Sequence, residues 1–222
     1  MLIEDKAFIL FSRPQGETSV WLSVLTQHHG RLSLVYKGGR KKSASCAPFM
    51  PLLLTWKATA RGMWLSGCEA DGFNSRLTGM ANWSGLYVNE LLHKGLSESS
   101  DSSEMFLAYE RLLLVLRQAN TSATQMALAL RRFEWQFLRV LGYGFPLIDV
   151  TGTAIEAQGV YRWHQDAWQI SKEGIGGAQL LVLEQGGDEP VCSQLRQLLQ
   201  WRLCQVLPTS AMAMRLWWEQ LV

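Results

Sequence analysis

The hydrophobic period of this chain changes just after Gly79, so a single regular architecture cannot run its whole length. Before that point the apolar runs are short and each closes on a turn signal. "KAFILFSRP" ends at Pro-x-Gly, "TSVWLSVLT" at Gly30 and "RLSLVYK" at Gly38-Gly39, while "PLLLTWKA" ends at Arg61-Gly62 and "MWLSGCEA" at Asp71-Gly72. Five strands at that spacing predict a small barrel or sandwich. After Gly79, Trp83, Leu86, Tyr87 and Leu91 recur at three and four, which predicts a helix. A second helix follows the "SESSDSSE" linker, with Ser102 or Ser103 as its N-cap and Phe106, Tyr109, Leu112, Leu113 and Leu116 on one face. The third is the clearest: Met126, Leu130, Phe133, Phe137, Val140 and Leu141 form one stripe closed by Gly142.

From residue 145 to 190 the helical signal is lost among glycines, and "GVYRWHQDAWQIS" reads as two brief strands. Helix returns with Val191, Leu195, Leu198, Leu199, Leu203 and Val206 and stops at Pro208; "SAMAMRLWWEQLV" is a last short helix. The expected fold class is therefore α+β. A five-stranded barrel domain occupies residues 1–80, and a mainly α-helical domain occupies 81–222 with an irregular insert at 146–190. Five is also the strand count of the OB-fold, a barrel often used on single-stranded nucleic acid.

At 222 residues and 48% hydrophobic content the chain can bury a real core. No run of eighteen apolar residues occurs and the N-terminus is acidic, so the chain reads as soluble and cytoplasmic, with no membrane contact. Cys46, Cys68, Cys192 and Cys204 form no C-x-x-C pair, which argues against a disulfide framework and a zinc knuckle. The net charge of +2 is unevenly spread. Residues 1–80 hold an excess of five positive charges and the remainder an excess of three negative ones, so the first part is the one suited to a polyanion.

Known catalytic patterns are missing. "YKGGRKKSA" lacks the glycine that a P-loop places before its Lys-Ser, because Lys41 stands there. "GYGFPL" and "GIGGAQ" do not complete a dinucleotide fingerprint. His28 and His29 would point to opposite faces at a strand end, and neither they nor His93 and His164 have a ligand at metal spacing. The expectation is a protein without metal, cofactor or catalytic residues. The basic residues are more informative. Arg31, Lys37, Arg40, Lys41 and Lys42 flank one strand and its loop, and Lys57 and Arg61 lie on the next, a footprint for phosphates interleaved with Tyr36 and Trp56 as stacking aromatics. An ordinary solvated loop beside two core aromatics fits the same residues. On the third helix, Arg131 lies four before Trp135, and Arg132 and Arg139 share a face suited to an acidic peptide or to plain solvent.

"AFILFSRPQGETSVWLSVLTQHHGRLSLVYKGGRKK", "APFMPLLLTW", "SGLYVNELL" and "LRRFEWQFLRVLGYG" occur in the order and at the separations of the bacterial RecO recombination mediators, and the chain resembles that family densely over residues 6–145. The resemblance implies an N-terminal OB-fold followed by a helical domain. It implies binding of single- and double-stranded DNA, annealing of complementary strands, contact with the acidic C-terminal tail of single-stranded-DNA-binding protein (SSB), and action with RecR to promote RecA loading. It assigns Lys37, Arg40, Lys41 and Lys42 to DNA backbone, and Arg131, Arg132 and their neighbours to the SSB tail. Some members hold zinc through cysteines in the segment equivalent to 146–165, where this chain has none, and many end in a basic segment where this chain has a single arginine. Two other classes stay open on residues alone: a metal-dependent nuclease using Glu69, Asp71 or Asp149, and an adaptor that binds only proteins.

Overall fold

The computed structural model describes residues 1–41, 47–72, 76–100 and 102–207; Lys42, Cys46 and the expected last helix lie outside them. The chain forms two compact units, the first built on Met1–Arg117 and the second on Gln118–Val206.

In the first unit, β1 (Leu2–Gln15), β2 (Ser19–Thr26), β3 (Arg31–Tyr36), β4 (Leu52–Thr59) and β5 (Gly62–Ala70) close a barrel in the order β1-β2-β3-β5-β4, the arrangement of an OB-fold. Closure depends on β1, whose first half pairs with β4 (Leu2↔Lys57 to Ala7↔Leu52) and whose second half pairs with β2 (Ala7↔Thr26 to Gln15↔Ser19). A bulge between Ile9 and Phe11 lets one strand serve both neighbours by bending it. All pairings are antiparallel except β3 with β5. Period-two alternation fills the interior: Leu32, Leu34 and Tyr36 from β3, and Leu52, Leu54 and Trp56 from β4, all point inward.

The barrel is not the whole unit. Phe8 and Leu10, on the other face of β1, are also buried. They are covered by α1 (Gly79–Gly95) and α2 (Ser103–Arg117), with Phe106 and Tyr109 ring centroids 5.2 and 5.1 Å from Phe8. Tyr109 donates to Asn89 Oδ1, and Asn89 Nδ2 donates to the Leu10 carbonyl at 3.1 Å, which satisfies the buried polar groups of that contact. The change of period near residue 80 therefore ends the sheet, while compact packing continues to Arg117.

In the second unit, α3 (Ala123–Val140) opens on a capping box, with Ser122 Oγ accepting from Gln125 N and Gln125 Oε1 accepting from Ser122 N. It ends in a Schellman motif: Tyr143 N donates to Leu138 O, Gly142 N donates to Arg139 O, and Gly142 takes φ 82°. The 146–190 segment is more regular than expected. β6 (Val160–His164), β7 (Ala167–Ile170) and β8 (Ile175–Gly176) form a sheet in the order β7-β6-β8, and α4 (Gly177–Gln185) follows where no helix was expected. The segment closes on aromatic rings. Phe145 lies 5.3 Å from Trp135, 4.8 Å from Trp163 and 5.9 Å from Trp168, and the α5 (Ser193–Val206) residue Arg202 stands 5.2 Å over Phe145 while pairing with Asp166 at 2.8 Å.

Candidate nucleic-acid interface

Gly38 takes φ 70° after β3, and a Cβ at Gly39 would lie 2.9 Å from the Tyr36 ring, so both positions of the turn require glycine. The turn then winds into a short 3₁₀ segment over residues 39–41. Arg40 N donates to Thr18 O at 3.2 Å, which ties the loop to the β1–β2 turn and leaves the side chains of Arg40 and Lys41 exposed.

The outer wall of the barrel brings further candidates to this loop. Lys37 Nζ sits 4.6 Å over the Trp64 ring, and Lys57 is the cross-strand partner of Trp64, so the two lysines flank one indole. Arg61 is exposed in the β4–β5 turn, where its N–H donates to Thr59 Oγ1. Among the described residues none of Lys37, Arg40, Lys41, Lys57 and Arg61 takes part in an ion pair. Arg31 stands apart from them. Its Nε donates to Leu96 O at 2.7 Å and its Nη1 lies 3.4 Å from Glu98, leaving the side chain 12% exposed, so its donors are used to hold the chain after α1 against β3.

Of the two readings open for Tyr36 and Trp56, stacking aromatics or core aromatics, the barrel selects the second. Tyr36 and Trp56 are 7% and 1% exposed and belong to the interior. Aromatics on the outside include exposed Phe11 of β1 together with Trp21 and Trp64, the last two each one position out of phase with the inward residues of its strand.

On α3 the four candidate residues are already engaged within their own unit. Arg131 is buried and pairs with Glu134 at 2.6 Å, an i,i+3 contact. Arg132 donates from Nε to Val182 O at 3.1 Å and from Nη2 to Gly187 O, which places it against the end of α4. Trp135 is buried and donates from Nε1 to Glu184 Oε1 at 3.1 Å. Arg139 is exposed, with Nη1 3.9 Å from the same glutamate.

Both turn histidines converge on one carboxylate instead of facing apart. Buried Asp5 accepts from His28 N at 2.8 Å and from Lys6 N at 2.9 Å, and its two oxygens meet the Nδ1 atoms of His28 and His29 at 2.8 and 3.0 Å. Burial opposes its ionisation, but the hydrogen bonds from His28 and His29 outweigh that and hold the carboxyl below its ordinary range. A carboxyl lowered on folding stabilises the native state above its unfolded pKa, and that contribution is lost as pH falls through the folded value. Asp5→Asn is expected to lower stability by about 1–3 kcal/mol at neutral pH and to flatten the acid limb of the urea midpoint against pH. An unaltered acid limb would contradict this role.

His93 stacks on Phe11 at 5.2 Å and its Nδ1 lies 2.9 Å from Ser23 Oγ. Burial, reinforced by Arg31 and Lys94, holds its imidazole below the usual range. The carboxylates considered for a nuclease are dispersed in their use. Asp149 Oδ1 accepts from Thr151 N, Thr151 Oγ1 and Thr153 N in a tight turn, Asp71 pairs with Lys6 at 3.2 Å, and Glu69 is exposed. Among the described residues no three His, Cys, Asp or Glu side chains gather where a metal ion could be held. No helix among them is long and apolar enough to cross a membrane.

Two family profiles cover most of the chain: "Recombination protein O N terminal" matches residues 1–69 and "Recombination protein O C terminal" matches residues 76–178. The chain is 38% identical over 192 residues to the DNA repair protein RecO of Hamiltonella defensa, covering 82% of this chain and 81% of the relative. It is 35% identical over 168 residues to that of Serratia proteamaculans, covering 73% and 68%. Against that of Pseudomonas paraeruginosa it is 37% identical over 157 residues, covering 70% and 65%.

Proposed function

Since this chain belongs to the RecO family of DNA repair and recombination proteins, we propose that it is a recombination mediator that grips DNA backbone with the basic side of its barrel. It binds single and double strands through Lys37, Arg40, Lys41, Lys42, Lys57 and Arg61. The observation that carries this reading is the cluster itself: five exposed cations on the loop and outer wall of one barrel, unpaired among the described residues. Annealing then needs no nucleotide. Cations that neutralise phosphate repulsion and hold two strands at high local concentration are enough to speed pairing. The protein works at the nucleoid, acting with RecR and with the SSB tail to promote RecA loading.

For the SSB tail, the exposed cation on α3 is the entry point. Arg139 meets one carboxylate already, Glu184 at 3.9 Å, and an incoming acidic peptide exchanges with that weak surface contact. Arg139→Ala is expected to weaken binding of a labelled SSB-tail peptide about tenfold, with naked-DNA affinity unchanged. Equal peptide affinity in the variant and wild type would remove α3 from the interface. The DNA reading is tested by gel shift of single-stranded and duplex oligonucleotides, and failure of both to bind would refute it.

A further inference from the structure

Trp21 and Trp64 lie on the outside of a barrel whose interior is already filled. Trp21 pairs with Val35, and Val35 pairs with Trp64, so the two indoles stand in one outward row on β2, β3 and β5. Two strand spacings separate them, about 10 Å. Each ring has a cation over it: the Arg13 guanidinium stands 4.8 Å from Trp21, its cross-strand partner, and Lys37 Nζ stands 4.6 Å from Trp64. Both rings are also steadied from the side. Trp64 Nε1 donates to Thr59 Oγ1 at 3.2 Å, and Trp21 meets the edge of His93 at 6.0 Å.

We propose that Trp21 and Trp64 are base-stacking platforms, each coupled to its own phosphate-seeking cation, that make this barrel favour unstacked single strands over duplex. The proposal rests on the DNA-binding reading above and adds a means of discrimination to it. Every base has a π-face, so a steadied indole accepts any of them and reads no sequence. When a base settles on the ring, Arg13 or Lys37 moves from the indole to the adjoining phosphate and exchanges one favourable contact for a stronger one. Bases in a duplex are stacked at a rise of ~3.4 Å and their faces are shut inside, whereas two rings about 10 Å apart hold two bases only if these are splayed. A duplex meets the cations of the loop and outer wall without the rings.

The test is binding of an oligothymidylate and of a duplex of equal length, by fluorescence anisotropy at several salt concentrations, to wild type, Trp21→Leu, Trp64→Leu and the double variant. Each leucine is expected to weaken single-strand binding roughly five- to hundredfold, with duplex affinity and both salt slopes unchanged, and Trp21→Phe and Trp64→Phe should recover most of the loss. Equal losses on both forms, or no loss on the single strand, overturns the platforms while leaving the loop's backbone grip standing. Failure of wild type to bind either form overturns the DNA reading and the platforms with it.

Discussion

Replacing Trp168 by Ala is expected to destabilise the second unit by about 3–5 kcal/mol, the largest stability effect among the substitutions considered. Trp168 is fully buried and lies 5.0 Å from Trp163 and 5.9 Å from Phe145. It also anchors the chain before β6, because Val150 N donates to Trp168 O at 2.8 Å and Asp149 bridges to the same residue. Removing the indole leaves a cavity in the ring cluster it forms with Phe145 and Trp163. The cohesion of this segment comes from Phe145, Trp163, Trp168 and the arginine over them. Hydrogen exchange is the direct readout. Protection over residues 160–170 should fall in Trp168→Ala, while that of β2 and β3 should hold, and unchanged protection in the sheet would contradict the account.

Neutralising the loop has the largest expected effect on binding. Arg40→Ala, Lys41→Ala and Lys42→Ala together should reduce the slope of log affinity against log salt by about 2–3, since each lost phosphate contact removes ~0.7–0.9 of a counterion. The loss should be the same for unrelated sequences, because backbone contacts position the protein without reading bases. It should also leave the fold intact: Arg40 and Lys41 are exposed and the loop is held by the Arg40 N–H, which alanine retains. An unchanged slope in the triple variant would remove the loop from the interface. Arg31→Ala belongs to a different class, because its guanidinium holds Leu96 and Glu98, so its expected effect is on stability.

Much of the fold is legible in the sequence because burial there follows short-range period. "RLSLVY" alternates buried and half-buried along β3, and the α3 stripe closes on the glycine that its Schellman motif needs. The same alternation already placed Tyr36 with Leu32 and Leu34, and Trp56 with Leu52 and Leu54, inside the barrel. Trp21 and Trp64 fall on the opposite phase of their strands and so face outward. Other features lie beyond local pattern. The nine-residue α4 is flanked by glycines and apolar around much of its circumference, so no stripe reveals it. Arg131 resembles a surface residue until the second unit closes over its pair with Glu134. His28 and His29 meet Asp5 across more than twenty positions of sequence, a contact that only closure of β1 onto the β2–β3 turn creates.

The central claim is that the cations of the barrel loop bring strands together without chemistry. Its most direct measurement is the rate at which complementary strands coated with SSB anneal when mixed with the protein in the absence of nucleotide. The account predicts that wild type accelerates pairing and that the Arg40, Lys41 and Lys42 triple alanine variant does not. Equal acceleration by the two proteins, or none by wild type, would contradict it.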